Sequence, residues 1–485
     1  MITLGIDCGT QSLKTLALDE TGVIASASRN YDLLPDLPAG SAEQNPSDWI
    51  AALEATVEEV LSQLGSRSSE IQAIGVSGQQ HGFVPLDATG AVIRPAKLWC
   101  DTSTQEECEI MRGIFGGATP LIERVGLDML PGYTAPKILW LKRHEPENFA
   151  KLATVLLPHD YINFYLTGEK TMEYGDASGT ALLDVRTRQW QLEICNAIDP
   201  SLIEKLPALQ SSRKPAGELS SVLKKKWNLG NVIVSAGGGD NMMAAIGTGN
   251  VVSGRVTASL GTSGTIFAYS AVPTIDPAGE VAGFCDSTDA WMPLVCTMNV
   301  TFATEAARQL FGMDVKTFDA AAASVSAGAD GLTFLPYLQG ERTPNLPHAS
   351  GVFHGVTAKN MTPAHFARAT MEGVTLGLAY GLKRMRSLGI APSEIRLTGG
   401  GSNSPVWRQL CADVFSCPVA ALSSGEGAAL GAALQAAAAL GISMTELTEK
   451  FAGIDSTKTA TPAPGGYDYD AALTAHTALT KRLFA

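Results

Sequence analysis

Nowhere in the 485 residues does a glycine-rich loop of the form G-x-x-x-x-G-K-[ST] occur, so this is not a P-loop nucleotide binder. Basic residues are scarce: 35 Lys and Arg stand against 48 Asp and Glu, for a net charge of −13. No basic run is present to neutralise a nucleic-acid backbone, which argues against such a partner. The eight cysteines (Cys8, Cys100, Cys108, Cys195, Cys285, Cys296, Cys411 and Cys417) include no C-x-x-C pair. Their spacing fits neither a zinc site nor a dense disulfide framework, and reduced thiols in a cytoplasmic protein are expected. The most hydrophobic stretch, 427–442, is mainly alanine and too short to span a bilayer, so it reads as a buried helix and no membrane partner is expected. The N-terminal apolar run reaches Asp7 with no basic segment before it, so no signal peptide is expected. Hydrophobic residues are 45% and charged residues 17%, a globular composition with ample material for cores.

Two glycine- and hydroxyl-rich turns, one at the start of the chain and one just past its middle, read almost alike. The first is Gly5-Ile6-Asp7-Cys8-Gly9-Thr10-Gln11-Ser12 and the second Ser259-Leu260-Gly261-Thr262-Ser263-Gly264-Thr265. Each joins two apolar β-type runs, so each predicts a hairpin tip. Glycine admits a close ligand, and exposed N–H and hydroxyl groups donate to phosphate oxygens. Two such turns predict a duplicated fold that grips a polyphosphate from both sides of a cleft. No Rossmann-type helix follows Gly5 to Gly9, which argues against NAD.

The remaining pattern supports a repeated α/β plan. Strands are predicted at 2–7, 15–18, 23–28 and 71–76, with a helix over 46–64 whose apolar face is Trp49, Leu53, Val57, Val60 and Leu61. Residues 84–86 and 91–93 predict a hairpin. Strand 232–236 ends in Gly237-Gly238-Gly239-Asp240-Asn241 and opens into a helix over 242–247. After a boundary near 249–254, strands at 256–260 and 265–269 repeat the opening, and a final strand at 395–397 ends in a second glycine triplet, Gly399 to Gly401. A helix through Trp407 and Asp413 follows, and another is predicted over 469–483. The division expected is 1–249 and 250–485.

Several residues at these strand ends carry chemistry. Asp240 follows three glycines and precedes a helix, so it reads either as a helix cap or as a base that takes a proton from an attacking hydroxyl. Asp7 lies on an apolar strand beside a phosphate-type turn, a place suited to holding Mg²⁺ directly or through water; the alternative is a turn aspartate bonded to its own backbone. His81, after Gln79 and Gln80, reads as a structural histidine or as part of a sugar-hydroxyl site. Trp99 and Asp101 have the chemistry to stack on and hydrogen-bond a polyol. The Gly399 to Ser402 turn reads as a nucleoside contact or an ordinary strand-to-helix turn.

These motifs together resemble the FGGY family of carbohydrate kinases, over residues 1 to about 440. The first turn resembles the family's first phosphate loop. Residues 132–144, with Pro136, Lys137 and Trp140, resemble one family signature, and residues 351–372 resemble the other. Gly78 to Gly82, Met129 to Lys137 and Gly238 to Asn241 resemble the segments of members that act on a pentulose. The resemblance implies two actin-like (ribonuclease H-like) domains with ATP and sugar in a central cleft. It implies ATP-dependent phosphorylation of D-xylulose with Mg²⁺, in the cytoplasm, by a homodimer. Asp240 would be the general base and Asp7 the carboxylate beside Mg²⁺ and phosphate. Gln80, His81 and Asn241 would contact the sugar. Gly9, Thr10, Gln11, Ser12, Gly261, Thr262 and Ser263 would meet the phosphates, and Gly400, Gly401 and Ser404 the adenosine. One departure stands out: the family's Trp-x-Asp-x-Arg reads Trp99-Cys100-Asp101-Thr102-Ser103, with serine for arginine. It leaves room for another pentulose or polyol, such as ribulose. An actin-like or chaperone-like ATPase module would share the fold without needing a sugar base.

Overall fold

The N-terminal apolar run forms β1 (Ile2–Cys8), which turns at Gly9 into β2 (Ser12–Asp19) and then β3 (Gly22–Asn30), all antiparallel. This is a computed structural model, and it describes residues 1–423 and 425–484. Helix α1 (Pro46–Leu64) has the predicted bounds. Pro46 suits a first helical turn, where no N–H is needed, and Trp49, Leu53, Val57 and Val60 bury the face that sequence spacing marks out. The chain then enters β4 (Ile71–Gly78), which lies parallel to β1. Helices α2 (Thr134–His144), α3 (Pro158–Thr167) and α4 (Tyr174–Ser178) fill the middle of the first half. Short strands β5 (Gly217–Glu218), β6 (Ile233–Val234) and β7 (Gly238–Gly239) complete the sheet, with β6 and β7 both parallel to β4.

Helix α5 (Asp240–Gly247) leads to a second sheet. Its strands are β8 (Arg255–Leu260), β9 (Gly264–Ala268), β10 (Ala282–Cys285), β11 (Trp291–Thr297), β12 (Glu394–Thr398), β13 (Val419–Leu422) and β14 (Ile454–Ala460). The order β3-β2-β1-β4-β6 in the first sheet matches β11-β9-β8-β12-β13 in the second. Each is an antiparallel three-stranded meander extended by parallel strands. The two glycine turns occupy the same place in each. Helices α6 (Thr301–Leu310), α7 (Pro363–Ser387) and α8 (Pro405–Phe415) pack on the second sheet, where Leu378, Leu382 and Met385 meet Val256, Ile266 and Leu397 in one core.

Three local expectations need correction. The strand at 394–398 is not the last: β13 and β14 extend the sheet beyond it. Residues 91–93 form no strand. Val92 makes a single bridge to Leu86, and residues 84–86 pair instead with 154–156. Helix α5 begins at Asp240, two residues earlier than expected.

One helix crosses the sequence division. Helix α9 (Gly427–Ala439) comes from the second half but lies on the first sheet. A Cβ on Gly5 would fall 2.0 Å from the Ala429 carbonyl oxygen, and one on Gly75 would fall 1.9 Å from that of Ala432. The helix also crosses α5 where Gly431 faces the Met243 carbonyl and Gly247 faces that of Gly427. Only glycine permits backbones this close. Gly75→Ala is therefore expected to lower unfolding free energy by about 1–3 kcal/mol. An unchanged denaturant midpoint would refute this packing. The tail ends in α10 (Tyr469–Phe484), the helix expected there.

Candidate active site

The carboxyl ends of β1, β4 and β7 meet in register. Asp7 pairs with Ser77, and Ser77 with Gly238, so the three residues form a row across three strands. Two strand spacings place the backbones at Asp7 and at the β7 end about 10 Å apart. Asp240 follows β7 directly. It is the first residue of α5, and Gly239 occupies the cap position, so Asp240 is not the helix cap. Its Oδ1 accepts from its neighbour Asn241, through N at 2.8 Å and Nδ2 at 3.1 Å. Burial first, then the charges of Asp7 and Asp176, push the Asp240 carboxyl up to about 7.

Asp7 accepts from Ser77 Oγ at 2.7 Å. Burial raises its pKa. Lys14 stands opposite it on β2 but pairs with Glu426. Among the described residues no cation forms an ion pair with Asp7. A half-buried carboxylate with that donor set fits a bound divalent cation.

The turn before Asp240 is held from below by α9. Gln435 donates to the Gly237 carbonyl at 2.9 Å and accepts from Gly237 N at 2.8 Å and Ser235 Oγ at 2.7 Å. From the side, Gln80 Oε1 accepts from Asn241 Nδ2 at 2.7 Å. Gly239 is needed there, because its Cβ would fall 2.5 Å from Gln80 Cγ. His81 follows with φ +61°, its ring between Tyr133 and Phe284 at centroid distances of 5.2 and 5.3 Å. Phe284 belongs to β10, so both halves of the chain touch this histidine. The His81 carbonyl accepts from Lys137 Nζ at 2.9 Å and Thr134 Oγ1 at 3.1 Å. Asp240, Asn241, Gln80 and His81 thus come together as the sequence suggests.

Trp99 and Asp101 part company. Trp99 Nε1 donates to Thr10 Oγ1 at 3.0 Å, which places the indole beside the first turn. Asp101 is fully buried and accepts four bonds: Ala42 N and Lys97 Nζ on one oxygen, Ser103 N and Oγ on the other. No lone pair remains for a polyol, so the expected sugar contact is replaced by a structural role. Ser103, at the family arginine's place, also accepts from Lys97 at 2.9 Å. Lys97 pairs with Glu43 at 2.9 Å as well, so a buried lysine supplies the cation beside Asp101.

In the first turn Gly9 N donates to Ser12 O at 3.0 Å, while Gln11 is exposed. The Thr10 hydroxyl lies between Trp99 and Gln79. In the second turn the Gly261 and Thr262 carbonyls accept from Thr301 and Val300 N–H, which anchors the start of α6. Among the described residues, no intramolecular hydrogen bond engages the hydroxyl of Thr262, which is exposed, or of Ser263. The second glycine triplet lies against this turn. A Cβ on Gly399 would fall 2.6 Å from the Leu260 carbonyl, and one on Gly401 2.8 Å from Leu260 Cβ. Gly400 sits between them with open space in front. Ser404 is different: it is buried, and its Oγ caps α8 by accepting from Trp407 N at 3.0 Å. Ser404 thus has a structural role as a helix cap beside the adenosine contact expected of it.

Lys97, Asp176 and Gln435 carry no separate signal in the sequence. Asp176 and Gln435 act across long stretches of chain, whereas Lys97 reaches Glu43 at a distance but bonds Asp101 and Ser103 within six residues.

Comparison with known proteins supplies context for this geometry. The N-terminal domain of the FGGY family of carbohydrate kinases matches residues 2–247, and its C-terminal domain matches residues 256–440. A xylulose kinase of Haemophilus influenzae is 40% identical over 469 residues, covering 95% of each chain. A crystal structure of a xyloylose kinase from Brucella ovis superposes with a TM-score of 0.93 at 32% identity, covering 100% of this chain and 99% of that one. A gluconate kinase from Lactobacillus acidophilus superposes with the same TM-score at 26% identity, covering 99% and 98%.

Proposed function

Because this chain belongs to the FGGY family of carbohydrate kinases, we propose that it transfers the γ-phosphoryl group of ATP to the terminal hydroxyl of D-xylulose, giving ADP and D-xylulose 5-phosphate. The observation that carries the reading is the Asp240 carboxyl, held near neutrality at the end of the sheet and tied through Asn241 to Gln80. A carboxylate of that basicity accepts the hydroxyl proton as the oxygen attacks phosphorus. Gln80, His81 and Asn241 orient the sugar. The hydroxyls of Thr262 and Ser263, with the first turn at Gly9 to Ser12, receive the phosphates, and the open face at Gly400 receives the nucleoside. Asp7 would hold Mg²⁺, which when bound neutralises developing charge on the phosphoryl oxygens. Closure of the two halves would exclude water, with Gly249 and Gly254, both at positive φ, as hinge positions.

The base must be ionised to act, so kcat/KM should rise with pH through about 7 and level above it. A flat profile from about pH 6 to 8 would count against Asp240. The direct test is ADP release from Mg²⁺-ATP without sugar and with D-xylulose, ribulose, gluconate or glycerol. D-Xylulose is expected to give the highest kcat/KM. The gluconate kinase with the same fold makes the panel necessary, and a preference for any other sugar would overturn the substrate assignment. Turnover indifferent to every sugar would favour an ATPase module.

A further inference from the structure

Behind Gln80 and His81 lies a buried row of charges, of which only Asp176 has a part in the reaction above, through its effect on Asp240. His159, on α3, is fully buried beneath the strand ends. A Cβ on Gly78 would fall 2.7 Å from His159 N, and one on Gly237 would fall 2.9 Å from a His159 ring carbon. The strand ends are glycine where this histidine comes up beneath them. His159 Nδ1 is hydrogen-bonded to Asp176 Oδ2 at 3.2 Å. Its Nε2 lies 3.0 Å from Asp160 Oδ1, off the ideal line. The other oxygen of Asp176, on α4, lies 3.3 Å from His81 N and 3.2 Å from His81 Nδ1, the second contact also off line. One buried carboxylate therefore joins two imidazoles, one in the core and one at the sugar site. Gly179 makes room, since its Cβ would fall 1.9 Å from the His81 ring.

The charged groups facing His159 are Asp160 on its own helix, Asp176 on α4 and Glu173 just before α4; Lys137 of α2 and His81 face Asp176 from the other side, and Lys137 and Arg342 act on His81. Burial opposes charge on His159, but Asp160 and Asp176 outweigh it and raise its pKa well above the usual value. Burial likewise opposes the Asp176 charge, yet bonds from His159 and His81 hold that carboxyl at about 2. Burial lowers the pKa of His81.

We propose that His159 and Asp176 form a positioning pair that fixes the ring and tautomer of His81, so that its Nε2 is offered unprotonated to a sugar hydroxyl. A neutral imidazole carries one N–H, and a carboxylate beside Nδ1 keeps the proton on that side. The protonated His159 keeps Asp176 ionised and aimed. The kinetic part rests on the reading of His81 as a sugar contact.

The test uses the full-length protein and two variants, His159→Gln and His159→Lys. The His81 ring is followed by nitrogen-edited NMR without ligand, identified by its loss in His81→Gln. The wild type is expected to show Nδ1–H. His159→Gln should mix the tautomers and raise KM for D-xylulose on the order of tenfold, with kcat changed less. His159→Lys, which restores a cation, should recover both. An unchanged His81 signal in folded His159→Gln would overturn the pair, as would a folded His159→Lys that behaves like His159→Gln. Should His159→Gln fail to fold, Asp176→Asn in the His159→Lys background reads the same tautomer: a mixed signal supports the pair, and unaltered Nδ1–H refutes it. A shifted tautomer with unchanged KM would uphold the pair and sink the sugar-contact role of His81 instead.

Discussion

Asp240→Asn is expected to remove sugar-dependent ADP release by on the order of 10³-fold in kcat while making the protein harder to unfold. The loss follows because an amide accepts no proton, whereas Asn241 and Gln80 remain to hold sugar; KM should move little. The gain in stability follows from the same environment. The folded-state pKa of Asp240 is raised from 3.8 to about 7, so the folded protein binds this proton more tightly than the unfolded chain does. Its contribution is favourable at low pH and is lost as pH rises through about 7, where burial and the charges of Asp7 and Asp176 act against the ionised group. An amide carries no such cost. The variant's Tm should exceed the wild type's at pH 8, with the gap closing near pH 4. Near-normal turnover would remove Asp240 from the mechanism. A Tm below the wild type's at pH 8 would mean that the cluster of carboxylates does not repel.

Asp7→Asn is expected to lower kcat on the order of 10²-fold, the usual cost of losing one group that stabilises transition-state charge. Ser77 can still donate to an amide oxygen, so the strand ends keep their register and the fold should survive. A second readout separates charge from shape. Asp7 is one of the two charges that raise Asp240, so the acid limb of the residual activity should move to lower pH. Full activity at low Mg²⁺ would exclude the metal role, and an unmoved limb would show that the two carboxylates do not sense each other.

The sequence marked what is local and repeated. The β1–β2 turn and α1 are written in neighbouring residues, and the structure has them where expected. The missed strands have physical reasons. Residues 419–422, Val-Ala-Ala-Leu, are too few and too alanine-rich to set a strand apart from a helix. Residues 454–460 alternate polar and exposed at a sheet edge, so no apolar period announces them. Helix α5 starts early because Asp240 and Asn241 read as turn residues, although Gly239 already serves as the cap. Asp101 and Ser404 carry the right atoms for ligand contact, but near neighbours take up their bonds, Lys97 and Ser103 at Asp101 and Trp407 at Ser404, and only Ala42 comes from far along the chain. The Asp176 bridge joins positions 81 and 159 through a third segment, which no reading along the chain can anticipate.

Helix α9 bears on the order in which the chain is made. Every carboxylate of the candidate site has been synthesised by residue 247, yet the cover for Gly5 and Gly75 is encoded at 427–439. The first sheet must wait, one face bare, while the whole meander of the second is synthesised. Nascent chains stalled in that interval present an apolar, glycine-paved surface of the kind that chaperones retain. Maturation of the first half is thus timed by the last third of the message, and the two gene segments cannot be separated into independently folding units without leaving that surface uncovered.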